Sequence, residues 1–527
     1  MTDGITAVPA TDVIAAGAMG GEVSSSELVS LGPAPQETPA DDSPRLGRNL
    51  RALAGGQVVT WTMTLLWTLV VPRALGPAGL GIVVSALAVS GVLGLVLGLG
   101  TRSYLVREIV LDPATGPKLI GTAIVMKLLL APLVGLAAVV FADLSHYGHD
   151  AKIALYLASA MTVLTILAEP LQAGFQAIER MQYLAYADII NKSAQSVIGI
   201  ALVLVGFRAD GIVANMAIFA GVVLLLNALW LRRFIRIDLR TNARMIGNMT
   251  RQSLAYWASG MFGLIYMWID TVMLTLMTRS EVVGWYGATT TLFQTFLFIP
   301  VLVATAWLPR LVSAFDQSRA HMIKTARTPL EFVLVISIPV AAGIALVASP
   351  MVHALYGHEF GHAVPVLIVL AACIPPMYVN ILLDQVLVAA KRQVVWTMVM
   401  IGAAFINPLF NLVLIPATES RYHNGAIGAA VSLVLTEVLM DIVGLVMVGH
   451  EVLNRGSIKR CALAIVACAS MLGVAYAARP LGTPVALIAG GVTLVLLTVK
   501  LRIATKDEVA MLRAGLARLP RPRLARL

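Results

Sequence analysis

The sequence predicts an all-α, polytopic membrane protein, and three observations support this fold class. From about residue 57 to 501 the chain is a series of apolar segments of about 20 residues, separated by short loops. About 20 apolar helical residues cross a hydrocarbon core of roughly 30 Å, and only helices or closed barrels satisfy their backbone in lipid. The apolar runs are continuous rather than alternating, which favours helices. Hydrophobic residues make up 58% of the chain and charged residues 13%, which is too apolar for a soluble protein.

The two ends of the chain are predicted to lie outside the membrane. Residues 1–49 are expected to form a disordered acidic cytoplasmic tail, because the first 44 residues contain seven acids and no Lys or Arg. Residues 505–527 are expected to form a basic cytoplasmic tail.

Between these tails we predict about fourteen transmembrane helices, in two parallel six-helix bundles plus two C-terminal helices. An N-terminal bundle, residues 50–235, has spans at about 53–74, 79–100, 118–141, 151–171, 184–206 and 211–231. A C-terminal bundle, residues 250–450, has spans at about 252–277, 282–308, 329–349, 363–388, 394–415 and 425–448. Residues 458–504 hold the two additional spans, at about 460–478 and 483–503.

The distribution of charge predicts the orientation. Thirty of the 38 Lys and Arg lie at the two ends and in every second loop, and six lie in the opposite loops. By the positive-inside rule both termini are cytoplasmic. The protein is expected to span the inner (plasma) membrane several times. The net charge of +10 therefore indicates contact with membrane lipids of the inner leaflet rather than with nucleic acid.

Three pairs of short segments suggest that the two halves are repeats. The pairs are 75–82 with 279–286, 177–180 with 389–392, and 210–214 with 424–428. Their offsets are 203 residues when Gly81 is matched with Gly284, then 212 and 214 residues. A repeat of six spans is even, so the two halves run parallel and relate by an axis along the membrane normal. Two such bundles would enclose a central cavity that can open to either side.

Several segments resemble the oligosaccharide flippases. In the first half these are Leu75–Gly81, Gly98–Gly100 and Leu105–Glu108; in the second they are Trp268–Leu274, Glu281–Tyr286, Ile299–Pro300, Leu308–Leu311, Asn407–Pro408, Asn411, Ile415–Pro416 and Asn424–Ala430. The likeness runs from about residue 48 to 450 and is to the Wzx-type polysaccharide exporters of the multidrug/oligosaccharidyl-lipid/polysaccharide superfamily.

This resemblance implies a flippase for cell-surface polysaccharide biosynthesis. Such a protein carries a polyprenyl-pyrophosphate-linked oligosaccharide to the outer leaflet by alternating access, alongside the polysaccharide polymerase and export machinery. It implies no enzyme activity, catalytic residue or cofactor. A multidrug antiporter and a lipid II flippase of the same superfamily stay open as alternatives. An integral-membrane glycosyltransferase, polymerase or ligase is less favoured, because the predicted outer loops are short.

Charged residues inside the spans are the candidate site, since each is costly in lipid unless it faces protein or water. Lys127, Lys192 and Arg73 are candidate cavity cations for the pyrophosphate. For Lys192 an ion pair with Asp188, one turn away, is the competing interpretation.

The carboxylates Asp270, Asp384 and Glu437 are candidate cavity or coupling groups. We expect the membrane potential to aid transport, with Asp270 structural and a coupling role for it as the competing hypothesis. Pro375 and Pro376 form the best candidate hinge, because each proline removes a backbone donor.

No metal site is predicted. His353, His358 and His362 cluster with Glu359 in one outer loop, but their spacing favours a solvated loop over a metal site. The three cysteines, Cys373, Cys461 and Cys468, lie in apolar segments and are expected to pack there.

Overall fold

A computed structural model describes residues 43–145, 147–449 and 452–501 of the chain. Across these ranges the structure has sixteen α-helices and contains no strand. They are α1 (Ser43–Gly98), α2 (Thr101–Leu111), α3 (Gly116–Leu144), α4 (His149–Ala177), α5 (Met181–Val205), α6 (Ala209–Leu231), α7 (Ala243–Met277), α8 (Ser280–Thr295), α9 (Phe298–Gln317), α10 (Arg319–Tyr356), α11 (Ala363–Ala372), α12 (Ile374–Ala389), α13 (Gln393–Tyr422), α14 (Gly425–Val448), α15 (Arg455–Ala477) and α16 (Thr483–Lys500). Short 3₁₀ turns lie at Pro113–Thr115, His358–Phe360 and Arg479–Leu481.

The all-α, polytopic class is confirmed. In the described ranges, twelve helical segments are long and apolar enough to span a membrane, and thirteen if the bent pair α11–α12 is one span. One of the twelve, in α1, contains a break at Gly76, where φ is 66° and ψ is 176°. A positive φ with an extended ψ suits glycine alone, so α1 is two helices that meet where spans one and two were predicted to meet. The total of fourteen spans stays a prediction.

Helix α3 shows how these helices differ from those of a soluble protein. Its exposed face is apolar, with Leu129 66% and Leu136 62% exposed, whereas Thr122 and Lys127 are fully buried. A soluble helix buries its apolar face instead. The arrangement places hydrocarbon against lipid and polar groups against protein, as a membrane span requires.

The first repeat-related pair of segments forms a close helix crossing. A Cβ added at Gly81 of α1 would lie 1.7 Å from the carbonyl oxygen of Ser280, and one added at Gly284 of α8 would lie 2.0 Å from that of Pro77. The two contacts are reciprocal, and both pairs of equivalent positions are 203 residues apart. Helices α1 and α8 therefore cross about a local two-fold axis, as the predicted repeat implies.

The second pair of segments shares a turn conformation. Glu179 and Lys391, 212 residues apart, are non-glycine residues with φ of 56° and 57°. In each loop the next backbone N–H donates to the carbonyl five residues earlier, at 2.9 Å in the first loop and 2.8 Å in the second. Both helices thus end in the same left-handed C-terminal motif. This shared geometry supports the internal repeat.

The chain divides into two compact units. The first contains the described residues up to Phe298 with Pro350–Val366 and Val394–Thr436, and the second contains Ile299–Ser349, Leu367–Gln393 and the described residues from Glu437 onward. A core of the first unit packs α2, α3, α4 and α6 around Leu105, Ile120 and Phe175. In the second unit, Val335 of α10 packs on Ala464 and Ala467 of α15.

Two predictions about the chain's organisation stay predictions. One is its division into six-helix bundles at 50–235 and 250–450. The other concerns the tails: α1 begins at Ser43, inside the predicted tail, and the rest of both tails lies outside the described residues.

Candidate functional site

Lys127 lies in the interior of the first unit and has a carboxylate partner. Its side chain is 0% exposed, and Nζ is 2.6 Å from Oε2 of Glu169, which is 29% exposed. Nζ also donates to the carbonyl oxygen of Ile166 at 3.1 Å. The candidate cation is therefore paired between α3 and α4 in this conformation, and its carboxylate partner is the more accessible of the two.

Local chemistry explains why Lys127 is held at this point of α4. Pro170 lies inside α4 and has no backbone N–H. In a helix each N–H donates to the carbonyl four residues earlier, so the carbonyl of Ile166 lacks its usual donor. Lys127 supplies that donor and the counter-charge for Glu169 together. A buried amine with both partners satisfied costs much less than an isolated one.

The other two candidate cations have separate surroundings. Lys192 Nζ lies 3.1 Å from Oδ2 of Asp188, which confirms the predicted pair one turn apart. The side chain of Arg73 is exposed and lies beside Gly357, where an added Cβ would be 3.8 Å from its Nε. Each of the three cations thus has its own neighbours, and their joint role in binding pyrophosphate stays a prediction.

Asp270 of α7 is the most enclosed carboxylate among the described residues of the first unit, with 3% exposure. Its Oδ2 accepts a hydrogen bond from the Tyr286 hydroxyl at 3.0 Å, and its Oδ1 accepts one from Asn411 Nδ2 at 2.6 Å. Asn407 also lies beside the carboxylate. Among the described residues, no Lys, Arg or His forms an ion pair with it. Its known partners are neutral.

The spacing of two asparagines builds this site. Asn407 and Asn411 are one turn apart on α13, so both amides lie on one face, and Asn411 Nδ2 also donates to Asn407 Oδ1 at 2.9 Å. Both residues are fully buried. Asn411 Oδ1 is buried without a hydrogen-bond partner in the described ranges. The site therefore combines a carboxylate with an amide oxygen that has spare accepting capacity.

The remaining candidate carboxylates lie in the second unit. Glu437 of α14 is 2% exposed and accepts a short hydrogen bond from Nδ2 of Asn380 on α12. Asp384 follows Asn380 by one helical turn and accepts from Gln385 Nε2 at 3.0 Å. Asp441 follows Glu437 by one turn, and its Oδ1 has no hydrogen-bond partner among the described residues. The structure thus joins α12 to α14 through Asn380 and Glu437, with Asp384 and Asp441 each one turn further along their own helix.

The predicted hinge coincides with a bend. Helices α11 and α12 meet at an angle of 43° across Cys373, and Pro375 and Pro376 follow in the first turn of α12. Proline is tolerated there because the first N–H groups of a helix have no partner within it. Motion about this bend stays a prediction.

The three histidines predicted in one outer loop pack against rings, and His353 lies in the last turn of α10 instead of in the loop. His353 and His358 face each other with ring centroids 4.9 Å apart. His362 stacks on Trp285 at 4.7 Å. These contacts give the cluster a packing role in the loop.

Sequence reasoning missed four contributors to these sites. Glu169 was detectable, since it is an acid beside a proline in the span next to Lys127. Asn407 and Asn411 are polar residues at helical spacing within one apolar span, although their patterns entered only through the resemblance. Tyr286 also entered only through the resemblance, because an aromatic residue near a span end is common and indicates no site.

The chain matches a known protein family and several relatives. Residues 46–315 match the family described as polysaccharide biosynthesis protein. The chain is 24% identical over 372 residues to the probable low-salt glycan biosynthesis flippase Agl15 of Haloferax volcanii, covering 69% of this chain and 75% of that protein. It is 25% identical over 241 residues to the probable flippase AglR of the same organism, covering 44% and 49% of the two proteins.

Solved structures show the same fold. The lipid II flippase MurJ in an inward closed conformation aligns with a TM-score of 0.66 at 14% identity, covering 86% of this chain and 99% of that one. An inward-facing multidrug resistance transporter of the MATE family aligns with a TM-score of 0.56 at 16% identity, covering 75% and 94%. At these identities the likeness concerns the fold alone. Because the matched region covers just over half of the 527 residues, the chain belongs to the polysaccharide biosynthesis protein family, which confirms its resemblance to the polysaccharide flippases.

Proposed function

We propose that this protein flips a polyprenyl-pyrophosphate-linked oligosaccharide across the inner membrane for cell-surface polysaccharide biosynthesis. The observation that carries the proposal is the family match over residues 46–315, together with one relative described as a probable glycan biosynthesis flippase and another described as a probable flippase. A fold shared with flippases and transporters is consistent with this role. The proposed topology has both termini in the cytoplasm, and the proposed role is transport without catalysis.

The close crossing of α1 and α8 supports an alternating-access cycle. By the predicted topology this crossing lies at the outer ends of both helices. Glycine at positions 81 and 284 lets the two backbones touch, so the outer side is closed where they meet. Export requires these helices to part, and the structure accordingly corresponds to a state closed at that point.

We further propose that Asp270 binds the coupling ion. Its partners are the neutral Tyr286 and Asn411, and a structural role as the partner of a cation would require an ion pair. A buried carboxylate without a cation gains most from a proton or a small hard cation. The spare oxygen of Asn411 is a suitable additional ligand for Na⁺. This favours the coupling hypothesis over the structural one.

Transport by the purified protein tests the proposed substrate class. Proteoliposomes would receive a fluorescent polyprenyl-pyrophosphate-linked oligosaccharide, and quenching from outside would report the fraction that has crossed. We expect protein-dependent flipping of this lipid and much slower movement of lipid II or of a lipophilic organic cation. Preferred transport of lipid II would support the lipid II flippase alternative, and preferred efflux of the cation would support the multidrug antiporter.

A further inference from the structure

The second unit contains a small cavity that the transport proposal does not use. It has a volume of about 230 Å³ and is formed by α9, α10, α12 and α14. Its walls include the apolar side chains of Phe315, Met322, Leu387 and Met447. Pockets for drug-sized ligands have volumes of roughly 300–1,000 Å³. This cavity can therefore take part of a hydrocarbon chain but not an oligosaccharide.

Two arginines give the cavity a positive rim. Arg319 and Arg392 both line it, and both are exposed residues. The Arg392 guanidinium donates to the carbonyl oxygen of Met447 at 3.0 Å, which places it beside the end of α14. Arg319 is the first residue of α10, and its side chain makes no hydrogen bond or ion pair with any other described residue. The C-terminal ends of α12 and α14, at Ala389 and Val448, also lie at the cavity, so its positive charge comes from the two arginine side chains and not from a helix end.

The chemistry of the cavity matches one kind of molecule. Apolar walls accept an acyl chain, and two guanidinium groups at the mouth accept a phosphodiester. Both arginines belong to loops that the charge distribution assigns to the cytoplasmic side, at the level of the inner-leaflet headgroups. Basic pockets between transmembrane helices on that side commonly hold anionic lipid headgroups.

We propose that this cavity is a binding site for an anionic phospholipid of the inner leaflet. The phosphate lies between Arg319 and Arg392, and the start of one acyl chain occupies the apolar cavity. A lipid bound there would link the α9–α10 loop to the α12–α13 loop and to the end of α14. The bound lipid would therefore stabilise the packing of these four helices, independently of which substrate the protein carries.

Lipid binding to the purified full-length protein tests this proposal. The protein in detergent would be titrated with phosphatidylglycerol or phosphatidylcholine, and native mass spectrometry and thermal unfolding would report binding. We expect phosphatidylglycerol to bind more tightly and to raise the unfolding temperature. Arg319→Gln and Arg392→Gln should each weaken its binding about fivefold, and the double variant about 25-fold.

Matched variants separate this site from general electrostatics. Arg244→Gln removes another exposed arginine from the predicted cytoplasmic side and should leave the affinity unchanged. Ala390→Leu places extra carbons in the cavity wall and should reduce binding while both arginines are kept. The Arg319 side chain makes no polar contact in the described ranges, so its variant should fold normally.

Three outcomes would overturn the proposal. Equal binding of phosphatidylcholine would show that the arginines do not select a charged headgroup. Unchanged affinity in the double arginine variant would place the lipid elsewhere. Binding of a polyprenyl pyrophosphate but not of phosphatidylglycerol would assign the cavity to the transported lipid.

Discussion

At the scale of single residues, the buried charges differ in what neutralises them. Lys127 faces Glu169 and the carbonyl of Ile166, so its charge is balanced within the protein. Asp270 is hydrogen-bonded to neutral groups, and within the described part of the chain no Lys, Arg or His balances its charge. This difference gives the two residues different expected roles, although both are single charges in an apolar helix.

The ion pair between Lys127 and Glu169 leads to a prediction about variants of Lys127. Lys127→Met should abolish export, because it leaves the Glu169 carboxylate without its counter-charge. Removing one partner of a buried pair costs about 3–5 kcal/mol, and the cost here is lower because Glu169 is 29% exposed. Glycan export in cells and the amount of inserted protein would be measured for each variant.

The double variant Lys127→Met, Glu169→Gln distinguishes the two roles of Lys127. If Lys127 only neutralises Glu169, the double variant should recover export, because no charge is left unpaired. If Lys127 also binds the substrate pyrophosphate, the double variant should be stable but inactive, and Lys127→Arg should keep part of the activity. We expect the second result. Full recovery in the double variant would remove Lys127 from the substrate site.

At the scale of helices, the crossing of α1 and α8 depends on the absence of side chains at two positions. In Gly81→Ala the new Cβ would lie 1.7 Å from the carbonyl oxygen of Ser280 if the backbones did not move. An ordinary contact needs at least 3.4 Å, so the helices must separate. We expect this variant, and Gly284→Ala, to favour the state that is open to the outside and to reduce export strongly. Gly91→Ala is the matched control on α1, because its nearest neighbour would be at 3.6 Å.

Labelling of a buried cysteine would report this opening. Ser85 lies one turn after Gly81, is buried, and accepts a hydrogen bond from Thr275 at 3.0 Å. A cysteine at position 85 should react slowly with an impermeant thiol reagent in the parent protein and faster when Gly81→Ala is added. Equal labelling rates with and without Gly81→Ala would contradict a gating role for the crossing.

The positions of the helices could be predicted from the sequence, whereas the side of each helix that contacts its neighbours could not. Hydrophobic length is set by the thickness of the bilayer, so the spans and the bend near Pro375 were predictable. The partner of Lys127 depends on the rotation of α4 about its own axis. Packing determines this rotation, and a helix that is apolar on all sides gives no sequence signal for it. For the same reason the contact of Asp270 with Asn411, 141 residues later, emerges only in the fold.

At the scale of the whole molecule, the number of spans can be tested by labelling. Single cysteines at Ala78, Glu359 and His423 should react with an impermeant reagent from outside, and those at Asp112, Arg240 and Ser318 should not. All six positions are exposed. The parent for this experiment has Cys373, Cys461 and Cys468 replaced. Protection of a cysteine at position 78 would show that α1 crosses the membrane once, which would contradict fourteen spans.

At the same scale, the proposed role of Asp270 in coupling concerns the driving force for transport. Each charge that crosses 100 mV is worth about 2.3 kcal/mol, so a pyrophosphate of about two negative charges gains about 4–5 kcal/mol on leaving a negative interior. A cation that enters through Asp270 in the same cycle moves positive charge inward, so its contribution has the same sign. The potential and the ion gradient should therefore act together.

Proteoliposome flipping with each gradient imposed separately tests this. We expect the parent protein to respond to the potential at fixed pH without Na⁺, and also to either a Na⁺ or a pH gradient without potential. Asp270→Asn keeps the shape of the side chain but removes its charge, so it should lose the response to the ion gradient and keep that to the potential. Asp150→Asn, an exposed acid on the predicted outer side, should behave like the parent. If Asp270→Asn responds to both gradients as the parent does, Asp270 does not bind the coupling ion. If the parent itself does not respond to either ion gradient, the potential alone drives export.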